Sequence, residues 1–118
     1  MSIAMPRVRR SRRVPAVFPV TYWVPLAGSR FREARGVDLS PDGLRFSCRE
    51  VVPMRAGFLV ELRLPGQEPV RTLGRAAWVR PLPGDGGFEV GGPLVEPTTA
   101  ARLRIERFLR SVEAQPAH

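Results

Sequence analysis

The stretch Asp38-Leu-Ser40-Pro-Asp42-Gly43 sets a carboxylate, a hydroxyl and a glycine at the spacing D-x-S-x-x-G. Ahead of it, the first 13 residues carry Arg7, Arg9, Arg10, Arg12 and Arg13 and no acid. These side chains suit a small anionic ligand. The planar fork of arginine matches pairs of phosphate oxygens, while an ionised aspartate only accepts and so favours groups that bring N–H donors. A serine hydroxyl is a short neutral donor, and glycine permits a positive φ and close backbone approach. With 3 Asp, no Asn, 6 Ser and 11 Gly in 118 residues, [DN]-x-S-x-x-G is expected about 0.01 times by chance, which makes it informative. The pattern R-x-x-x-R is expected about 3 times by chance and occurs as Arg9/Arg13, Arg45/Arg49 and Arg71/Arg75. Only the first pair is set apart, because it precedes the first strand-like run and ends 25 residues before Asp38. The same turn residues also have a local use, since Asp and Ser cap backbone N–H groups in Asx and ST turns.

The formal charge of +8 comes from 19 arginines without a single lysine. The absence of Lys and Asn, with Ile only at Ile3 and Ile105, points to a GC-rich coding bias for the arginines as a class, so position decides which of them matter. Residues 1–13 hold +5 of the +8, the asymmetry of a basic arm that meets something anionic. The single Cys48 excludes an internal disulfide and a cysteine-based zinc site. With His118 as the sole histidine, neither a His-ligated metal nor a Ser-His-Asp triad can be assembled. The apolar stretch from Val14 to Leu26 is interrupted by Pro15, Pro19 and Pro25 and is too short to span a bilayer. No apolar segment follows the basic N-terminus in the manner of a signal peptide, and a cytoplasmic location is expected.

The elements that must position these residues are short. Hydrophobic residues at 43% and charged residues at 25% describe one globular domain. Alternating runs cover Val20–Val24, Phe31–Val37, Leu44–Cys48, Phe58–Leu64, Val70–Val79 and Phe88–Val90, separated by turn residues such as Pro41-Asp42-Gly43 and Pro83-Gly84-Asp85. Six strands at this spacing predict a small antiparallel barrel or sandwich. Near the end the period changes: Ile105, Phe108, Leu109 and Val112 form a helical stripe behind a threonine N-cap, giving a helix over about 98–112. The expected organisation is a flexible arm over 1–13, one domain over 14–112 and a tail over 113–118. Trp78 is expected in the core, Cys48 as a small buried hydrophobe, and one of the adjacent Tyr22 and Trp23 facing inward.

The arginine pair followed by D-x-S-x-x-G resembles the PilZ family, receptors for the bacterial second messenger cyclic di-GMP. The resemblance runs from Arg9 through Val14–Val20, Val37–Phe46, Gly57, Ala77-Trp-Val79 and Glu89-Val-Gly91 to the closing helix. It implies an all-β fold, a small six-stranded antiparallel β-barrel with a C-terminal α-helix. It assigns ligand contacts to Arg9, Arg10, Arg13, Asp38, Ser40 and Gly43, with Arg12 and Gly91 as further candidates. Cyclic di-GMP offers two phosphodiesters and two guanines. Arginine suits the phosphates and the guanine O6/N7 edge, and Asp38 suits the guanine N1–H and N2–H donors. The chain departs from the family after Gly91, where Pro93 implies a bulge or edge and Leu94 replaces the usual aromatic.

The implied function is a non-enzymatic cyclic di-GMP receptor or adaptor that relays binding to a downstream protein partner, with no metal and no membrane span. Two other readings stand beside it. One is a general nucleic-acid-binding basic barrel, expected to weaken steeply with salt and to tolerate loss of Asp38. The other is a PilZ-like interaction domain that has lost the ligand.

Overall fold

A computed structural model describes residues 14–25 and 30–114. The described residues form seven strands and one helix: β1 Val14–Trp23, β2 Arg32–Ser40, β3 Gly43–Cys48, β4 Gly57–Leu62, β5 Val70–Arg75, β6 Trp78–Pro81, β7 Phe88–Val95 and α1 Thr99–Glu113. Every strand pairing is antiparallel. The order β3-β2-β1-β4-β5-β7-β6, closed by β3–β7, makes a six-stranded barrel of β1, β2, β3, β7, β5 and β4. The seventh strand, β6, pairs only with β7 and contributes nothing to closure. Closure leaves the six barrel strands without an open edge along their shared length, and a sandwich is ruled out.

Two differences from the sequence expectation have physical causes. The Val70–Val79 run is two strands rather than one, because the chain leaves β4 after Arg75 and restarts at Trp78 beside β7. The first strand reaches back to Val14 despite Pro15 and Pro19. From residue 14 to 18 β1 pairs with β2 alone; pairing with β4 begins at Val20, and the Pro19 carbonyl already accepts from the Arg63 N–H at 3.0 Å. Pro15 therefore has no ladder bond to forfeit on its open side.

The alternating residues Phe18, Val20 and Tyr22 of β1, with Phe46, Phe58 and Leu62, fill the barrel. Tyr22 faces inward as one of the adjacent pair, and Trp23 faces out half-covered. Tyr22 meets Phe46 at 5.2 Å and Phe46 meets Phe58 edge-on at 5.5 Å, pairs worth about 0.5–1.5 kcal/mol each beyond burial. Helix α1 starts where Thr98 accepts from the Ala101 N–H at 3.0 Å. It buries Ala101, Ile105, Phe108 and Leu109, with Phe108 set edge-on to Phe18 at 5.8 Å.

One buried polar pair makes the core sensitive to alkali. The Tyr22 hydroxyl lies beside the Cys48 thiol, whose sulfur donates to the Glu50 carbonyl at 3.2 Å, and burial pushes both groups above their ordinary values of 10.0 and 9.0. The unfolded chain therefore gives up these protons at a pH where the folded chain holds them. Stability is full below pH 9 and falls as pH rises above it, by up to about 1.4 kcal/mol per pH unit for each group. Urea melts between pH 8 and 11 should show this decline, and a Tyr22→Phe variant should lose part of it.

Candidate functional site

The site is built on the hairpin of β2 and β3. Its two-residue turn, Pro41-Asp42, sets the register Ser40↔Gly43, Leu39↔Leu44 and Asp38↔Arg45. A β-bulge between Gly36 and Asp38 decides which way these side chains point. Gly36 and Phe46 form an inward pair; without the extra residue Val37, Asp38 would share their face. The bulge turns Asp38 outward and sends Leu39 into the core, where it is fully buried.

Asp38 nevertheless is only 4% exposed, because Arg45 lies over it. Both Nε (2.8 Å) and Nη2 (2.7 Å) of Arg45 donate to Asp38 Oδ2. The Nη1 of Arg45 reaches Glu89 Oε1 at 3.6 Å. Arg80 donates to the same oxygen through Nε at 3.1 Å and Nη2 at 2.6 Å, and its guanidinium stands 5.5 Å from the centroid of the Trp78 ring. Charges thus alternate from Asp38 to Arg45 to Glu89 to Arg80, with Glu89 held between two cations. Removing one member of such a chain leaves its neighbour covered and unpaired, which is where the energetic cost arises.

The strand registers give this network a frame. Reading across the sheet, Pro15, Asp38, Arg45, Gly91 and Trp78 occupy one row through β1, β2, β3, β7 and β6. Arg35, Ser47, Glu89 and Arg80 occupy the next outward row. Gly91 earns its place here: a β-carbon on it would run into the Trp78 indole, so the bare backbone is what lets that ring lie flat on the sheet. Trp78 is 37% exposed rather than in the core. The expectation failed because one unbroken strand would have put Trp78 on the same face as Val70 and Ala76, and the break between β5 and β6 resets that parity.

The structure brings Asp38, Ser40, Gly43 and Gly91 onto neighbouring positions of this wall. Ser40 closes the turn: its Oγ accepts from the N–H groups of Asp42 (3.2 Å) and Gly43 (3.0 Å). That is the capping role its residue type allowed, and it leaves the hydroxyl hydrogen as the group able to reach a ligand. Gly43 is an ordinary strand residue paired with Ser40 and Pro93; the positive-φ glycines among the described residues are Gly66, Gly84 and Gly87, so the positive φ that glycine permits is not used at Gly43. The turn is tied down further by the Leu94 N–H donating to the Asp42 carbonyl at 2.9 Å and by an Arg102–Asp42 ion pair of 3.3 Å from α1. Arg9, Arg10, Arg12 and Arg13 lie outside the described residues. The described chain begins at Val14, opposite Leu39, with Pro15 opposite Asp38.

Sequence reasoning missed Arg45, Glu89 and Arg80. Arg45 was legible from hairpin arithmetic: a two-residue turn at 41–42 pairs positions summing to 83, which makes Asp38 and Arg45 partners. Glu89 and Arg80 depend on the β3–β7 and β6–β7 registers, which no local pattern announces.

Among the described residues no helix is long and apolar enough to cross a membrane. No curated protein matches the chain in sequence. Among solved structures, the fold is similar to the Bacillus subtilis inhibitor of motility, MotI/DgrA, with TM-score 0.75 and 13% identity over 93% of this chain. This chain spans about half of that protein, 54% of its length. The PilZ domain of YcgR from Escherichia coli, solved with c-di-GMP, gives TM-score 0.71 and 15% identity, covering 91% of this chain and 92% of that one. The MrkH–c-di-GMP complex of K. pneumonia gives 0.66 and 13%, covering 91% of this chain and 53% of that one. These likenesses are of fold. The PilZ domain profile matches residues 7–111, and with the barrel, the closing helix and the D-x-S-x-x-G turn in place, the chain belongs to the PilZ domain family.

Proposed function

We propose that this chain is a non-enzymatic receptor module for cyclic di-GMP, in which Arg9, Arg10 and Arg13 close over a ligand seated against Asp38, Ser40 and Gly43. The observation that carries the reading is the register of Pro15 with Asp38. Arg13 is tethered two residues before Pro15, within about 7 Å of chain at 3.3–3.6 Å per residue. The described chain therefore begins beside the acid that would select guanine, not on the opposite wall. Two structural neighbours, YcgR and MrkH, were solved with c-di-GMP, which supports the choice of ligand.

In this reading each group has a task. Asp38 accepts from guanine N1–H and N2–H while Arg45, anchored on one carboxylate oxygen, fixes the orientation of the acid. Arg9 and Arg13 take phosphate oxygens and guanine O6/N7, with Arg10 and Arg12 adding charge and Gly91 supporting the row through Trp78. A micromolar complex needs about −8 kcal/mol. Four or five charge-assisted bonds at roughly 1.5–3 kcal/mol each are of that order, and about 1–2 kcal/mol is lost again for each arm residue that becomes ordered. Because arm ordering and binding are then coupled, the position of residues 1–13 becomes a signal a partner protein can read.

Isothermal titration with cyclic di-GMP tests the reading. Saturable micromolar binding that a linear dinucleotide does not displace is expected, and a flat trace at tens of micromolar overturns it. The formal charge of +8 keeps a nucleic-acid reading in view. Binding to single-stranded RNA that falls steeply with salt and ignores an Asp38 substitution would favour that alternative.

A further inference from the structure

The wall opposite the Asp38 row carries a feature that the ligand site does not use. Going round the barrel, β4 and β5 stand three strands away from β3 and β2. On their outer face Trp23, Leu59, Leu73 and Val95 are direct cross-strand partners through β1, β4, β5 and β7. The inner neighbours Tyr22, Phe58, Thr72 and Leu94 are buried, so this row points outward, where alternation calls for polar residues. Leu73 is 50% exposed, and Phe31, 55% exposed, sets its ring 6.0 Å from that of Trp23. Opposed side chains in such a row stand roughly 4.5–5.5 Å apart, so they form a continuous apolar strip. Contiguous patches of this kind on a folded surface mark interaction sites.

The strip lies in a groove of about 550 Å³ whose lining also includes Arg55, Arg75 and the bare backbone of Gly57. The adjoining row is Thr21, Glu61 and Arg71, where Arg71 and Arg63 both bond Glu61, at 3.0 and 3.2 Å. Arg55 adopts φ +67°, a conformation a non-glycine residue holds at a cost of order 1–3 kcal/mol. It is kept there by its N–H donating to the Ala76 carbonyl at 2.7 Å. The Arg55 backbone is thus held on the rim of the apolar groove.

We propose that this groove docks an acidic segment of a partner protein that inserts an apolar side chain between Trp23, Leu59 and Leu73. Charge selects the occupant. A second copy of this chain would bring its own +8 against Arg55, Arg71 and Arg75, and like charges across an interface cost several kcal/mol. A lipid surface takes protruding apolar side chains, whereas here the strip is recessed at Gly57 and flanked by Glu61. Carboxylates beside an apolar anchor satisfy both the rim and the floor.

The test uses the full chain without cyclic di-GMP, so its outcome is independent of the ligand reading. The probe is a soluble synthetic peptide of repeating Glu-Glu-Leu, with Lys-Lys-Leu and Glu-Glu-Ser peptides as controls, followed by amide NMR shifts. Shifts centred on Trp23, Leu59, Leu73 and Val95 are expected with the first peptide alone. Leu73→Glu and Arg75→Glu should each weaken that binding about tenfold or more, with melting points unchanged. The Arg75 side chain is exposed, which keeps the test valid should the Leu73 variant fold poorly. Equal binding of the lysine peptide, shifts confined to the Asp38 wall, binding only to anionic phospholipid vesicles, or self-association abolished by Leu73→Glu would each overturn the proposal.

Discussion

Calorimetric titration of an Asp38→Ala variant with cyclic di-GMP should show binding weakened at least about 100-fold against the parent. The carboxylate would accept two hydrogen bonds from guanine, at roughly 1.5–3 kcal/mol each, and no other acid in the same row replaces it. Glu89 sits one row away and is held by Arg45 and Arg80. Asp38→Asn keeps one acceptor and should lose less, about tenfold. Both variants need a thermal melt alongside, because Arg45 loses its two bonds to Oδ2. Binding that survives Asp38→Ala in a folded protein would remove this residue from the site.

The largest effect on the fold is expected at Gly92. This glycine lies where the link between β5 and β6 crosses β7, and the Ala77 N–H donates to the Gly91 carbonyl at 2.9 Å beside it. A β-carbon on Gly92 would be driven into the Arg75 carbonyl oxygen, with the Ala77 nitrogen also within 2.9 Å. Both obstacles are backbone, and neither can rotate away. Gly92→Ala should therefore cost about 3 kcal/mol or more and lower the melting point by roughly 10–20 °C. Gly57→Ala is the matched control. Its added methyl would stand 3.8 Å from the Gly74 carbonyl, an ordinary contact, and the melting point should barely move.

What could be read from the sequence divides along a physical line. The inward residues of β3, β4 and α1 alternate or repeat locally, so Phe46, Phe58 and Ile105 were assignable from period alone. The spacing of runs left a barrel or a sandwich open and the family resemblance implied the barrel, while the D-x-S-x-x-G turn followed from a motif too rare to be accidental. Non-local registers were hidden. Trp78 was misplaced because nothing in Ala76-Ala77 signals a break, and the change of neighbour from β4 to β7 is a tertiary event. The bulge at Val37 was equally invisible, yet it alone turns Asp38 outward. Ser40 carried two readings, and its bonds to the Asp42 and Gly43 N–H groups show the local one in force without excluding a bond donated to a ligand.

Because β6 hangs on β7 outside the closed cylinder, the tip that joins them is a natural graft point. Leu82 and Gly87 pin its base with a 2.8 Å bond, while Gly84 and Asp85 at the apex are exposed. A fluorescent protein spliced between those two residues would interrupt no bond that holds the cylinder together. It would be carried by the strand that bears Trp78 and Arg80, converting a change at the neighbouring wall into an optical readout.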